Sequence, residues 1–227
     1  MRRLLLAMIA IGSACTLSAQ TEPLEGNPSF QPAQARSVID ILYTPCSAYG
    51  TVVLDALITE TGEVKAVEVR RDTACLTQAA VQAIKQWKFT PATLAGRPVA
   101  SRIPVAVTFE CELSAPNPSP LPKLVPQTPA AIQAEFQPAE VTRAASPPFH
   151  SGYAPVQGTA ALEVTLSAKG EPQDVKVVRD VPPFTQTAEA VLKDWRFMPA
   201  TLNGHPIVSK ILLAFVSPPF VLNPSQN

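Results

Sequence analysis

The chain has 227 residues, of which 46% are hydrophobic, only 16% are charged and 25 are proline; ordinary domains carry about 25% charged residues and about 5% proline. Eighteen Lys and Arg balance 18 Asp and Glu, so no net field draws in nucleic acid or an anionic membrane surface, and the apolar share is too high for wholesale disorder. The length predicts one or two domains.

At the N-terminus, Arg2 and Arg3 precede an apolar stretch at residues 4–12 and a small-residue site, Leu17-Ser18-Ala19, ahead of Gln20. This is the layout of a secretory signal, and residues 1–19 are read as a signal peptide cleaved after Ala19. A retained membrane anchor is the competing reading, although the uncharged run is shorter than the roughly 20 residues that span a bilayer. A lipoprotein signal at Cys15 is a third, with Gly12 standing where leucine is usual.

An internal repeat dominates the rest. W-K-F-T-P-A-T-L-A-G-R-P-V from Trp87 returns as W-R-F-M-P-A-T-L-N-G-H-P-I from Trp195, 108 positions later. The same offset pairs Gly50 with Gly158, Gly62 with Gly170, Arg71-Asp72 with Arg179-Asp180 and Thr77-Gln78 with Thr185-Gln186, with no gap across residues 50–107. About two positions in five are identical, which marks a duplicated unit. F-Q-P-A at Phe30 recurs at Phe136 with an offset of 106, which would extend the repeat upstream with a two-residue length change.

Each copy reads as strand, hairpin, strand, helix, strand. In the first, residues 51–59 are rich in Val, Leu and Ile, Gly62 marks the turn, and Val64, Val67 and Val69 mark the second strand. Leu76, Ala80, Ala83, Ile84 and Trp87 keep helical spacing, with Thr77 as the expected N-cap. After a turn at Gly96, Ile103, Val105, Val107 and Phe109 alternate with Pro104, Ala106 and Thr108, a period-two pattern with one buried face. The predicted fold class is α+β: two tandem small ββαβ domains, each a three-stranded antiparallel sheet with a helix packed on one face, joined by a Pro-rich linker. The first domain is placed at 30–112, the linker at 113–135 and the second domain at 136–219. Residues 114–130 hold six of the prolines and read as an extended spacer reaching about 50 Å.

The order G-T-V-V-L, T-G-E-V, A-x-x-A-I-K-x-W-K-F-x-P-A, G-x-P-V and a closing V-x-F strand resembles the TonB C-terminal domain, the periplasmic part of the energy transducer that contacts outer-membrane transporters. The resemblance covers residues 50–109 and again 158–215. It implies a periplasmic, TonB-like protein-binding module that contacts an outer-membrane transporter or another envelope protein. A usual transducer has one such domain, an uncleaved N-terminal anchor and a long proline-rich spacer. The alternative reading, drawn from the duplication and the expected lack of an anchor, is a tandem scaffold or adaptor that binds peptide or cell-wall material with no energy transduction. Retention of the N-terminal segment would place the chain on the inner membrane instead.

With Cys15 removed, Cys46, Cys75 and Cys111 remain, all in copy one and in an oxidising compartment. A hairpin centred between Glu60 and Thr61 places Cys46 opposite Cys75, the preferred disulfide. It closes a loop of about 30 residues and contributes roughly 3 to 4 kcal/mol. Cys111 is the other candidate partner, and one thiol is left over.

Catalytic chemistry finds little support. His150 and His205 both lie in copy two, no nucleophile, metal-ligand or phosphate-loop motif occurs, and no cofactor or metal is expected. The chain is read as a non-enzyme, an enzyme of unrecognised type being the third hypothesis. Asp55 and Glu163, matched across the copies, read as solvated residues on the outward face of the first strand. Arg71-Asp72 and its counterpart read as a polar contact at a strand end. Trp87, Trp195, Phe89 and Phe197 read as anchors between helix and sheet.

A sheet edge is the natural binding element, because it offers unpaired N–H and C=O groups to an incoming strand, and the resemblance implies this mode of peptide capture. The last strand of each copy is the expected edge. In copy one Pro104 removes a donor. In copy two Ile211, Leu212, Leu213, Ala214, Phe215 and Val216 are apolar on both faces and keep every donor, so this segment is the candidate acceptor of a partner strand. Packing against the chain's own C-terminal tail or against the other copy is the alternative fate for its outward side chains.

Overall fold

The computed structural model describes residues 30–42, 48–109, 121, 136–147 and 158–217. The signal segment 1–19, the linker at 113–135 apart from Leu121, and Cys46, Cys111 and His150 lie outside these residues.

Copy one runs β1 (Phe30–Gln31), β2 (Gln34–Ser37), β3 (Gly50–Ile58), β4 (Val64–Arg71), α1 (Ala74–Ile84), β5 (Lys88–Thr90), β6 (Ala92–Leu94), β7 (Arg97–Val99) and β8 (Ser101–Phe109). Copy two repeats the order as β9 (Phe136–Gln137), β10 (Glu140–Arg143), β11 (Gly158–Leu166), β12 (Pro172–Arg179), α2 (Phe184–Ala190), a 3-10 turn at Leu192–Asp194, β13 (Arg196–Met198), β14 (Ala200–Leu202), β15 (His205–Ile207) and β16 (Ser209–Ser217). The class is α+β. The 106-residue offset upstream has structural counterparts: Phe30 lies opposite Leu94 and Phe136 opposite Leu202 in matching short ladders.

The local chemistry explains these elements. Gly62 has φ +85°, and a Cβ there would collide with the Phe89 carbonyl oxygen; at Gly170, φ +80°, it would stand 2.5 Å from the Phe197 oxygen. The turn must be glycine because the W-x-F strand crosses directly over it, and Phe89 N–H donates to the Gly62 carbonyl at 2.9 Å. Thr73, not Thr77, holds the N-cap position of α1. Thr77 is buried in the first turn and its Oγ1 accepts from Thr73 N–H at 2.9 Å; Thr185 and Val181 repeat this at 2.7 Å. In copy one the threonine therefore reaches back to the cap residue, much as the far member of a capping box does, whereas in copy two it reaches Val181, two residues before the cap residue Pro183.

The hairpin register also differs from the expected one. Asp55 lies opposite Glu68 and Leu54 opposite Val69, with bulges at both ends of the ladder. Cys75 is no continuation of β4 but the second residue of α1, so strand register does not govern its pairing.

The largest departure concerns the two domains. Six strands form one sheet in the order β12-β11-β16-β8-β3-β4. Within each half the neighbours are antiparallel, and the halves join where β16 runs parallel to β8, from Leu212 opposite Val105 to Val216 opposite Phe109. The two copies are not separate domains on a tether. The physical reason lies in the composition of the last strands: β16 is buried on both faces from Ile211 to Val216, and Ala106 and Thr108, on the face of β8 expected outside, are fully buried. A strand apolar on both faces needs cover on both, the pattern of an interior strand.

Val105 corresponds to Leu213 in the repeat, yet its ladder partner is Leu212. Side chains alternate faces along a strand, so a one-residue offset exchanges the faces. Leu54, Val105 and Leu212 share the core under α1 with Leu76, whereas Val53, Ala106 and Leu213 share the core under α2 with Ala188. The helices thus lie on opposite faces of one sheet, and each core draws residues from both copies. The seam between β8 and β16 acts as a pseudo-two-fold axis, and the equivalent Phe30 and Phe136 meet with ring centroids 5.8 Å apart.

Candidate binding surface

The expected acceptor strand is closed. Ile211, Leu212, Leu213, Ala214, Phe215 and Val216 pair with β11 on one side, and all but Ile211 pair with β8 on the other. This corrects the edge assignment: packing against the other copy is what the structure shows. Pro104 marks where the parallel ladder begins, since pairing with β16 starts at the next residue, Val105. A missing N–H is tolerable at a ladder's end.

Asp55 and Glu163 are not solvated; they are 3% and 1% exposed. Their cover comes from the N-terminal arm of the opposite copy. Glu163 Oε2 accepts from Ala35 N–H at 2.6 Å and its Oε1 from Lys210 Nζ at 2.7 Å. Nearby, Ile41 N–H donates to Thr159 Oγ1, Thr159 N–H donates to Asp40, and Arg179 pairs with Asp40 at 2.5 Å. On the other side, Arg71 pairs with Glu140 at 2.9 Å and donates to the Val141 carbonyl at 3.4 Å. Arg71 and Arg179 therefore bind the arms of the opposite copies, not their neighbours Asp72 and Asp180.

Asp55 faces Arg70 at 3.5 Å and Arg102 at 3.9 Å, and Arg102 also forks onto Glu68. Burial pushes the Asp55 carboxyl up to about 6, against the pull of Arg70 and Arg102, with Glu68 and Glu140 adding to the rise. The basic partners Arg102 and Lys210 are themselves separated by the repeat offset. A repeated acid matched by a repeated base on a neighbouring strand is the sequence signal that marks this buried pair.

The halves are not identical here. Aspartate is one methylene shorter than glutamate, and beside Asp55 lies a cleft of about 280 Å³ lined by Arg70, Arg71, Gln137, Glu140, Met198 and Thr201, among others. It sits between the outer strand of copy one and the arm of copy two.

Trp87 and Trp195 are core residues, 0% and 1% exposed, and their Nε1–H groups donate to the carbonyls of Ile39 and Ala145 at 3.2 and 3.0 Å. His205 is exposed at a hairpin. Cys75 is disulfide-bonded; both candidate partners lie outside the described residues. Among the described residues, no three or more His, Cys, Asp or Glu side chains gather as metal ligands, and no helix is long and apolar enough to cross a membrane.

Among the described residues, the outer strands β4 and β12 each pair with one neighbouring strand. On β4 the side chains of Glu68, Arg70 and Arg71 are held by ion pairs. The first six residues of β12 are exposed.

Two duplicated segments with this strand, helix and W-x-F order define a tandem domain class. Residues 47–111 and 153–216 match the family described as Gram-negative bacterial TonB protein C-terminal. These segments make up more than half of the chain, and the protein belongs to that family as two tandem copies. Domains of this family are periplasmic, non-enzymatic protein-interaction domains. No curated protein and no solved structure matches the chain.

Proposed function

We propose that the protein is an exported, periplasmic protein-interaction module that works as a tandem scaffold in the envelope rather than as an energy transducer. The observation that carries this reading is the β8–β16 ladder. The last strand, which the family resemblance makes the acceptor of a transporter peptide, is here consumed by the second copy. A partner must therefore engage the outer margins of the sheet or the cleft beside Asp55. Export is supported by the layout of residues 1–19 and by the disulfide at Cys75, which needs an oxidising compartment.

The second reading keeps the transducer's role, with contact to outer-membrane transporters by strand addition. The family membership favours it, and a deletion strain separates the two. Energised uptake through outer-membrane transporters persists without the protein if it is a scaffold, and photo-crosslinks to an envelope protein arise from Lys65 or Met198. Loss of energised uptake, restored by the wild-type chain, would establish the transducer instead.

A further inference from the structure

The two outer strands, equivalent in the repeat, are not equivalent in exposure. In copy one α1 spans 11 residues, and Val67 and Val69 of β4 pack against the core beneath it. In copy two the helix stops after 7 residues and gives way to a 3-10 turn. Val175 and Val177 of β12, the counterparts of Val67 and Val69, are consequently 36% and 40% exposed. They point to the α2 face, since they lie opposite Val164 and Leu162. On the other face of the strand stand Asp174 and Lys176, both exposed. An open edge with uncovered valines is a template for pairing with another strand.

We propose that β12 is a self-association edge, on which a second copy of this chain adds its own β12 antiparallel about a two-fold axis through Val175. The argument for this occupant is self-complementarity. Residues directly opposite in an antiparallel pair share a face. Centring the pair on Val175 sets Asp174 of each copy against Lys176 of the other, Val175 against Val175, and Gln173 against Val177. Two ion pairs then lie on one face and an apolar strip on the other. Centring on Lys176 instead would oppose two like charges, so charge selects the register. Without Arg2 and Arg3 of the signal segment, the exported chain carries 16 Lys and Arg against 18 Asp and Glu, a formal −2 that adds little long-range repulsion between copies. The product is an isologous dimer in which two six-stranded sheets become one continuous sheet.

Sedimentation equilibrium on the full exported chain tests this. Wild type forms dimers, Asp174→Lys and Lys176→Asp each weaken dimerisation by about tenfold or more, and the double variant Asp174→Lys/Lys176→Asp restores it, because it rebuilds both ion pairs with reversed sign. These positions are exposed, and unchanged circular dichroism confirms folding. A wild-type chain that stays monomeric to about 1 mM, or a double variant no better than the single ones, would overturn the proposal.

Discussion

Leu212 lies opposite Val105, one position short of the residue that the repeat makes its equivalent. That single step exchanges the faces of the second copy, sets α2 across the sheet from α1, and makes each core a joint product of both copies. The duplication behaves as a covalently linked pseudo-dimer whose seam is a parallel ladder. Three consequences can be measured on variants.

Proline at Leu212 removes a backbone donor from an interior strand. Proline is confined to edges, strand starts and bulges, and Leu212 is none of these. Leu212→Pro is expected to destabilise the whole chain by more than about 3 kcal/mol in chemical denaturation. An edge strand would tolerate the change with less than about 1 kcal/mol lost, the melting curve barely moving.

Asp55 makes stability depend on pH with a definite sign. Its carboxyl rises from 3.8 to about 6, so the folded chain holds this proton more tightly than the unfolded chain. The contribution is full below about pH 4 and is lost as pH rises through 6, a swing of about 3 kcal/mol. Asparagine does not titrate. The stability of Asp55→Asn relative to wild type is therefore expected to improve by about 3 kcal/mol between pH 3.5 and 7.5. A difference that stays flat across that range contradicts a buried, raised carboxyl.

The sequence made much of this fold visible and hid its assembly for identifiable reasons. Trp87 and Trp195 with their W-x-F neighbours were readable as core because local spacing specifies them. The run Ile211 to Val216, apolar on both faces, announces a need for cover on both sides, but nothing in its own residues says that β8 supplies it. Asp55 and Glu163 looked solvated because their cover comes from residues 137–140 and 33–41, arms far away in the chain. The helix start was misplaced by four residues because Thr77 contributes the capping oxygen while Thr73 holds the position.

At the turns, Gly62→Ala adds a Cβ into the Phe89 carbonyl at φ +85°. The loss should exceed about 2 kcal/mol, combining a left-handed backbone with a displaced strand. Gly96→Ala, where a Cβ meets nothing within 4 Å at φ +75°, bears the conformational cost alone, about 1 to 2 kcal/mol. Thermal melts of the two variants should separate accordingly, and equal losses would contradict the crossing of strand over turn.

The central claim is that the last strands of the two copies close each other. Amide hydrogen exchange of Leu212 to Val216, read residue by residue by NMR, tests it most directly. An interior strand has every amide bonded on one side or the other, so all five should exchange only through global opening, among the slowest in the chain. Fast exchange at alternate residues, the signature of an unpaired edge, would contradict the joined sheet.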